Sequence, residues 1–540
     1  KGLYSSFNSA NMHEIAYSLN RQFGAEQWCL YTGKHLLSFV DNHDVTRIAT
    51  ILTDKSCLAP LYGLLFGMPG VPAVYYGSEG GIEGDKKNGD PTLRPAIEKP
   101  EENDLTAWIA ALAHALRGEQ AWRKGVALGL GWYLMECFRG WFFTGFPWIT
   151  LASAFTPWTP VIQLASVIGA YGLSGLLAGL SCLCAEGILR VRHPHALRKR
   201  WLPALGGSLA GIFLVVAFGV FSLSFAPSGQ GGLWVSLEQG NLDQNVKWEP
   251  AMQRLTVKRY LSLSAESLSV PESERPELLI WPETAMPFDY QTAPELSAAI
   301  RAFARDRRVA LLFGAPGFRN RGDGVVDAFN RAYLIAPNGV GEGWYDKEHL
   351  VPFGEYVPPF LDLPFLRPLL QGVGEFLQEH PAVTKAITAI GVVLPATPQL
   401  SPDRGPLVLG VLICYESIFP ELARKQVAQG ATLLVNISND AWFGRSSAPE
   451  QHLSLGILRA VEQRRWIARS TNTGISAFVD PTGAVVARSG LFKAESLSHQ
   501  VVPLTEKSVF FTLEPWLPWA GLALFLTFFA PVLSRFRRHI

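Results

Sequence analysis

The sequence predicts a layered α/β domain held between membrane-spanning helices. Three observations carry this reading. Residues 226–510 alternate short β-rich runs with helical stretches, four other stretches are long and nearly uncharged, and the 540 residues are 48% hydrophobic with only 17% charged. That balance is too apolar for an ordinary soluble chain. A net charge of +1 gives no reason to expect a nucleic-acid partner. The first residue is Lys1 rather than Met, and no signal peptide follows it, so a fragment boundary or processed end is expected there.

The spans come first. No charged residue occurs from Trp141 to Ala185, but Pro147, Pro157 and Pro160 break the run. It therefore reads as the end of one span (about 126–146), a short loop, and a second span at about 161–185. Glu136 and Arg139 interrupt the first, and intramembrane charges are costly, so they should pair, face a polar cavity or sit near an interface. A third span lies near 203–225, and a fourth is Pro515–Ser534, about 20 residues, enough to cross a ~30 Å hydrocarbon core at ~1.5 Å per residue. Arg190, Arg192, Arg198, Lys199 and Arg200 crowd one loop, and Arg535, Arg537 and Arg538 close the chain. By the positive-inside rule these basic segments are cytoplasmic and residues 226–514 lie outside the cytoplasm.

Within 226–510, Leu278–Trp281, Val309–Phe313, Val408–Ile413 and Leu433–Ile437 read as strands. Ala298–Arg307, Pro420–Gln429 and Gly456–Arg469 read as helices. Cys414 is the one cysteine of this region, so the domain can form no disulfide of its own, and the chain's C-x-C at Cys182 and Cys184 is not a metal spacing. Cys414 hangs on the end of a buried strand, where the positive end of the following helix would favour its thiolate.

Three polar constellations follow strands or occupy loops: Trp281-Pro282-Glu283-Thr284, the run from Tyr345 to Tyr356 with Lys347 and Glu355, and Cys414-Tyr415-Glu416. Read singly, such a glutamate is a solvated edge or cap, such a lysine a surface charge, and such a cysteine a packing group. Together they supply a carboxylate base, an ammonium for an oxyanion and a thiol nucleophile, the requirements of acyl transfer through a thioester.

The strings RGWFFTGFPW at 139–148, QGNLDQNVKWEP at 239–250, WPETAMP at 281–287, YDKEHLVPFGEYVP at 345–358, LICYESIFPE at 412–421, NISNDAWFG at 436–444 and RSTNTGISA at 469–477 carry a specific resemblance. Residues 226–510 resemble a nitrilase-superfamily domain, and residues 126–540 resemble the apolipoprotein N-acyltransferases. The resemblance implies a nitrilase-like α-β-β-α sandwich inserted between transmembrane helices. It implies Glu283 as general base, Lys347 as oxyanion stabiliser and Cys414 as nucleophile, with Glu355, Tyr415 and Glu416 in support. Trp248 matches an aromatic near the acyl or lipoprotein entrance, while its plain reading is core packing. The implied partners are a phospholipid acyl donor, a diacylglyceryl lipoprotein acceptor and the bilayer of a bacterial inner membrane, and no cofactor or metal is called for. Two alternatives stay open, a membrane-tethered nitrilase-type amidase and an inactive lipid-binding remnant.

Residues 1–125 resemble something else. Phe39-Val40-Asp41-Asn42-His43-Asp44 and the run from Gly67 to Glu79 are similar to the last part of an α-amylase-type (β/α)8 barrel. The resemblance makes His43 and Asp44 vestigial glycosidase residues. The earlier strands that would supply the other carboxylates are absent, and a barrel of this kind needs about 250 residues to close. An inactive partial barrel is expected. The acyltransferase relatives have further spans before RGWFFTGFPW, so a fused or mis-joined sequence is expected near Gly125.

Overall fold

In the computed structural model the described residues are 121–142, 145–192, 201–227, 231–244, 246–320, 326–351, 355, 392–394 and 407–536, together with residues 8, 37–38, 41, 46–58, 61–62, 71–72, 78 and 81–88. The chain divides into two units, residues 1–120 with 445–447, and the remainder. In the first unit Leu37–Ser38 pairs in parallel with Val71–Pro72. A small core of Ile48, Ala49, Leu52, Leu58, Leu61 and Tyr62 lies in the same unit. His43 and Asp44 lie outside the described residues. The barrel expectation for 1–125 therefore rests on the sequence resemblance alone.

The second unit begins with three long helices, α1 (Ala121–Trp141), α2 (Ala165–Arg192) and α3 (Trp201–Ser224). Among the described residues, Ala165–Ile188 and Pro203–Ser224 are the two helices long and apolar enough to cross a membrane. A Cβ on Gly129 would sit 2.7 Å from the carbonyl oxygen of Gly175, and one on Gly179 would sit 2.7 Å from that of Gly125. Only glycine permits this approach of α1 and α2, the small-xxx-small contact that brings spanning helices together. Glu136 and Arg139 do not pair with each other. Glu136 accepts from Trp132 Nε1 and from Leu151 N, both at 3.0 Å, and Arg139 donates to Ile149 O at 3.2 Å. Both charged side chains grip the loop that follows their helix.

The α/β part has two six-stranded sheets. The first contains β1 (Leu233–Gln239), β2 (Leu278–Ile280), β3 (Ala310–Asn320), β4 (Val326–Ile335), β5 (Gly341–Asp346) and, on its far edge, β12 (Glu495–Val501). Its spatial order is β12-β1-β2-β3-β4-β5, with β1, β2 and β3 parallel. The second contains β6 (Val392–Leu394), β7 (Leu407–Ile413), β8 (Leu433–Ser438), β9 (Ile467–Thr471), β10 (Ala477–Val479) and β11 (Val485–Arg488), ordered β11-β10-β9-β8-β7-β6 with β7, β8 and β9 parallel.

Residues at alternate positions, such as Val235, Leu237 and Ile280 on one sheet and Val411, Ile413 and Val435 on the other, form one dry layer between the sheets. The intervening residues of the first sheet pack under α4 (Pro250–Ser267) and α5 (Pro294–Arg307). Those of the second pack under α6 (Pro420–Ala428), α7 (Ala448–Gln463) and the start of α2. The result is an α-β-β-α sandwich. A further apolar helix, α8 (Leu517–Phe536), closes the described chain.

One expected helix is corrected. The run 456–469 does not stay helical to Arg469, because α7 stops at Gln463 and Ile467–Thr471 is an interior strand. Arg464 takes a left-handed φ of 50°, and Arg465 N–H bonds back to Ala460 O at 3.2 Å, the closure that ends a helix at such a residue. Arg464 is also a staple. It donates to Gln163 Oε1 (2.8 Å) and Ser166 Oγ (3.1 Å) around the start of α2, to Ser222 Oγ (2.7 Å) of α3, and to Pro481 O (3.2 Å) of the sandwich. Arg464→Ala strands these acceptors and is expected to cost about 2–4 kcal/mol, measured as a lower Tm of the detergent-solubilised protein.

Candidate active site

Three strand ends deliver three side chains to one end of the two sheets. Glu283 follows β2, Lys347 follows β5, and Cys414 follows β7. Cys414 adopts φ +53°, a left-handed conformation rare for a residue with a Cβ, and opens a tight 3-10 turn over Cys414–Ile418. Such strain persists only where surroundings enforce it. Here Glu416, fully buried, does much of the enforcing. Its carboxylate accepts from Ile413 N (2.7 Å), Glu348 N (2.7 Å), His349 N (3.0 Å) and Tyr345 Oη (3.0 Å). One side chain thus ties the cysteine turn of the second sheet to the lysine loop of the first. Burial pushes the Glu416 carboxyl up to about 7, while its backbone donors and Lys347 favour the charged form.

Lys347 is 1% exposed. Its Nζ lies 2.8 Å from Glu355 Oε1 and 3.6 Å from Glu283 Oε1. Burial alone would lower the Lys347 pKa, but Glu355, Glu283 and Cys414 outweigh it and hold the ammonium charged well above its ordinary range. Asn330, on β4, donates to Glu283 Oε1 at 2.6 Å and to Glu355 Oε1 at 3.4 Å, and its own carbonyl accepts from Lys347 N at 2.9 Å. Val351 N donates to the other oxygen of Glu355 at 2.9 Å.

The thiol differs from the sequence expectation. Burial first, and then the Glu283 charge, push Cys414 up to about 12, with Lys347 acting in the opposite sense. The helix that was to favour thiolate starts only at Pro420, beyond the 3-10 turn. Burial therefore favours the neutral thiol.

Behind Cys414 stands a cluster that the sequence reading did not single out. His452 Nε2 lies 3.2 Å from the Cys414 carbonyl oxygen and 3.1 Å from Ser417 Oγ. Its Nδ1 lies 3.0 Å from Arg469 Nη2 and 3.1 Å from Asp440 Oδ1. Arg469 Nη2 donates to Asp440 Oδ2 at 2.7 Å. Burial and Arg469 lower the His452 pKa, and Asp440 acts in the opposite sense. No spacing in the sequence links residues 440, 452 and 469 to the nucleophile, because they come from three elements joined only by the fold.

Tyr415 points the other way. Its hydroxyl donates to Gly145 O at 2.9 Å, and its ring lies 6.0 Å from that of Phe146. Trp148 in the same loop donates to Gln451 at 2.9 Å and packs 5.4 Å from His452. The loop between α1 and α2 thereby lies against the nucleophile turn. Trp248, on the loop after β1, is 38% exposed, with the Lys247 ammonium 5.7 Å from its ring centroid.

Two family profiles match the chain. That of the carbon-nitrogen hydrolases covers residues 241–506, and that of the apolipoprotein N-acyltransferase N-terminal domain covers residues 104–183. The second begins inside the stretch that resembles a glycosidase. Among solved structures, a carbon-nitrogen hydrolase from Helicobacter pylori aligns at 15% identity over 50% of this chain and 89% of its own, with a TM-score of 0.37.

The sandwich and its site thus define a carbon-nitrogen hydrolase domain, of the nitrilase class. Among curated proteins, an apolipoprotein N-acyltransferase of Geobacter metallireducens is 37% identical over 405 residues, 74% of this chain and 72% of its own length. One of Azotobacter vinelandii is 34% identical over 436 residues, 80% and 78% respectively. The chain belongs to the apolipoprotein N-acyltransferase family.

Asn330→Asp replaces the shared donor with a third carboxylate beside Glu283 and Glu355. Like charges at such a distance force protonation of one member. We expect the rate of covalent acylation at Cys414, followed by intact mass, to fall about 10²–10⁴-fold, the usual weight of a positioned base, while far-UV circular dichroism is unchanged.

Proposed function

We propose that this chain moves an acyl chain from a membrane phospholipid, through a thioester on Cys414, to the α-amine of the diacylglyceryl-cysteine at a lipoprotein's N-terminus. The observation that carries the reading is the convergence of a neutral buried thiol, a caged ammonium and a fixed carboxylate at one end of the sandwich. Membership of the acyltransferase family supports the choice of substrates.

In the first half-reaction the Cys414 sulfur attacks the ester carbonyl of the donor as its proton passes to Glu283. Lys347 and backbone N–H groups hold the tetrahedral oxyanion. Collapse breaks the acyl C–O bond, and the proton held by Glu283 goes to the departing lysophospholipid oxygen. In the second half the acceptor amine attacks the thioester and Glu283 takes its proton. The C–S bond breaks, and the thiol is restored. Glu355 and Asn330 keep Lys347 and Glu283 in register, while Glu416 and Tyr415 hold the turn. Trp248 lies beside the path of the lipid substrates. A ping-pong order follows because one base and one nucleophile serve both halves.

The same reading assigns three spanning helices within 126–225, a catalytic domain over 226–510 outside the cytoplasm, and a C-terminal span at 515–534. The basic segments 190–200 and 535–538 then face the cytoplasm. Both substrates are lipids, and neither leaves the bilayer cheaply, so a multi-pass location in the inner membrane suits the chemistry. Residues 1–125 contribute no glycosidase activity in this account.

The test is direct. Purified protein incubated with phospholipid should gain the mass of one acyl group at Cys414, and a diacylglyceryl peptide should discharge it. Cys414→Ala should gain none, and Glu283→Gln should be labelled about 10²–10⁴-fold more slowly. Hydrolysis of small amides with no lipid adduct would instead establish the amidase alternative.

A further inference from the structure

The site holds a second buried lysine. Lys247 is 2% exposed, yet no hydrogen-bond acceptor or carboxylate lies within bonding distance of its ammonium among the described residues. Its neighbour is the face of Trp248, 5.7 Å away. Burial pushes Lys247 down to about 8, and Glu283 is the charged group that opposes the shift. A lysine buried along its length that pairs with no carboxylate, in the field of the Glu283 charge, marks a candidate functional group.

The loop that carries Lys247 is not free to swing the ammonium elsewhere. Asn241 N donates to Asn472 O at 2.9 Å, Leu242 N to Asn472 Oδ1 at 2.9 Å, and Asn472 Nδ2 back to Leu242 O at 2.8 Å. Asn439, next to Asp440, donates to Gln244 at 2.5 Å. The loop after β1 is thereby laced to the end of β8, the neighbour of the strand that bears Cys414, and to the end of β9, the next strand along. Lys347 differs in kind: two carboxylates already neutralise it, so it has no capacity for a full anion in the ground state. Lys247 can meet an incoming anion without breaking an existing pair.

We propose that Lys247 is an anion subsite that grips the phosphodiester of the acyl-donor lipid while the donor's ester lies against Cys414. This rests on the acyl-transfer reading above. A glycerophospholipid carries that charge a few bonds from its scissile ester, whatever its headgroup or chains. The subsite therefore orients the donor without selecting among lipids. The half-exposed ring of Trp248 provides an apolar wall beside the same ammonium.

The experiment compares two acyl donors on the full-length, detergent-solubilised protein, scoring Cys414 acylation by intact mass. One donor is a diacyl phospholipid. The other is a p-nitrophenyl ester of the same fatty acid, which lacks phosphate. In Lys247→Gln the ratio of the phospholipid rate to the nitrophenyl-ester rate should fall at least about tenfold relative to wild type, as loss of a charge-assisted contact implies. Lys247→Arg should restore most of that ratio, which a variant that merely misfolds would not do. An unchanged ratio in Lys247→Gln, whether both rates fall together or neither falls, overturns the subsite. Inorganic phosphate should leave wild-type labelling by the phospholipid unaffected, and full protection by phosphate alone would reassign the site to the free ion and overturn the lipid assignment. A wild type labelled by neither donor would defeat the acyl-transfer reading itself, an outcome distinct from all of these.

Discussion

The contact on which the rest of the site depends is the buried carboxylate of Glu416. It takes hydrogen bonds from its own turn at Ile413 N and from the opposite sheet at Glu348 N, His349 N and Tyr345 Oη. Two sheets packed face to face through aliphatic side chains can slide, because apolar contact is non-directional. Four directional bonds to one group remove that freedom where it matters, between a nucleophile on one sheet and an ammonium on the other. The left-handed φ of Cys414 is sustained by the same bonds and by the donors to its carbonyl oxygen from Ser417 and Asn436.

The electrostatic design follows from burial. One lysine between two carboxylates leaves the cage with an excess negative charge, and that charge, with desolvation, keeps the thiol protonated at rest. A permanent thiolate would be exposed to oxidation on the extracytoplasmic side assigned to this domain. In the proposed chemistry a thiol that ionises only as it attacks avoids this, at the cost of requiring a base within reach at every turnover. The position of Glu283 under Asn330 suits that proposed role.

Much of this was legible in the sequence, and the reason is local. Glu283 and Cys414 each follow a short β-rich run, so their placement at strand ends could be read residue by residue, while Lys347 was legible through its flanking string, and such strings identified the family. What escaped was non-local. Asn330 sits in the middle of a strand with no flanking signal, and His452 faces the site from a helix whose pattern reads as ordinary core. The end of that helix at Gln463 was hidden because Arg464, an unlikely residue for φ 50°, is held there by tertiary hydrogen bonds. The partnership of Gly125 and Gly129 with Gly175 and Gly179 is a fact of packing. The thiol's protonation state was misjudged because a dipole argument takes account of the helix and not of the burial.

The hydrogen bond from Tyr415 to the carbonyl of Gly145 has a bearing on how such a protein can change over generations. It joins Tyr415 to a loop encoded about 270 positions earlier, across two apolar helices and most of a domain. Trp148 with Gln451 and Arg464 with Gln163 span comparable intervals. A crossover at the seam between helices and sandwich would separate all of these partners at once. Hybrids between relatives should therefore inherit the hairpin of spans and the sandwich as one block, and divergence in either half should leave a matching trace in the other.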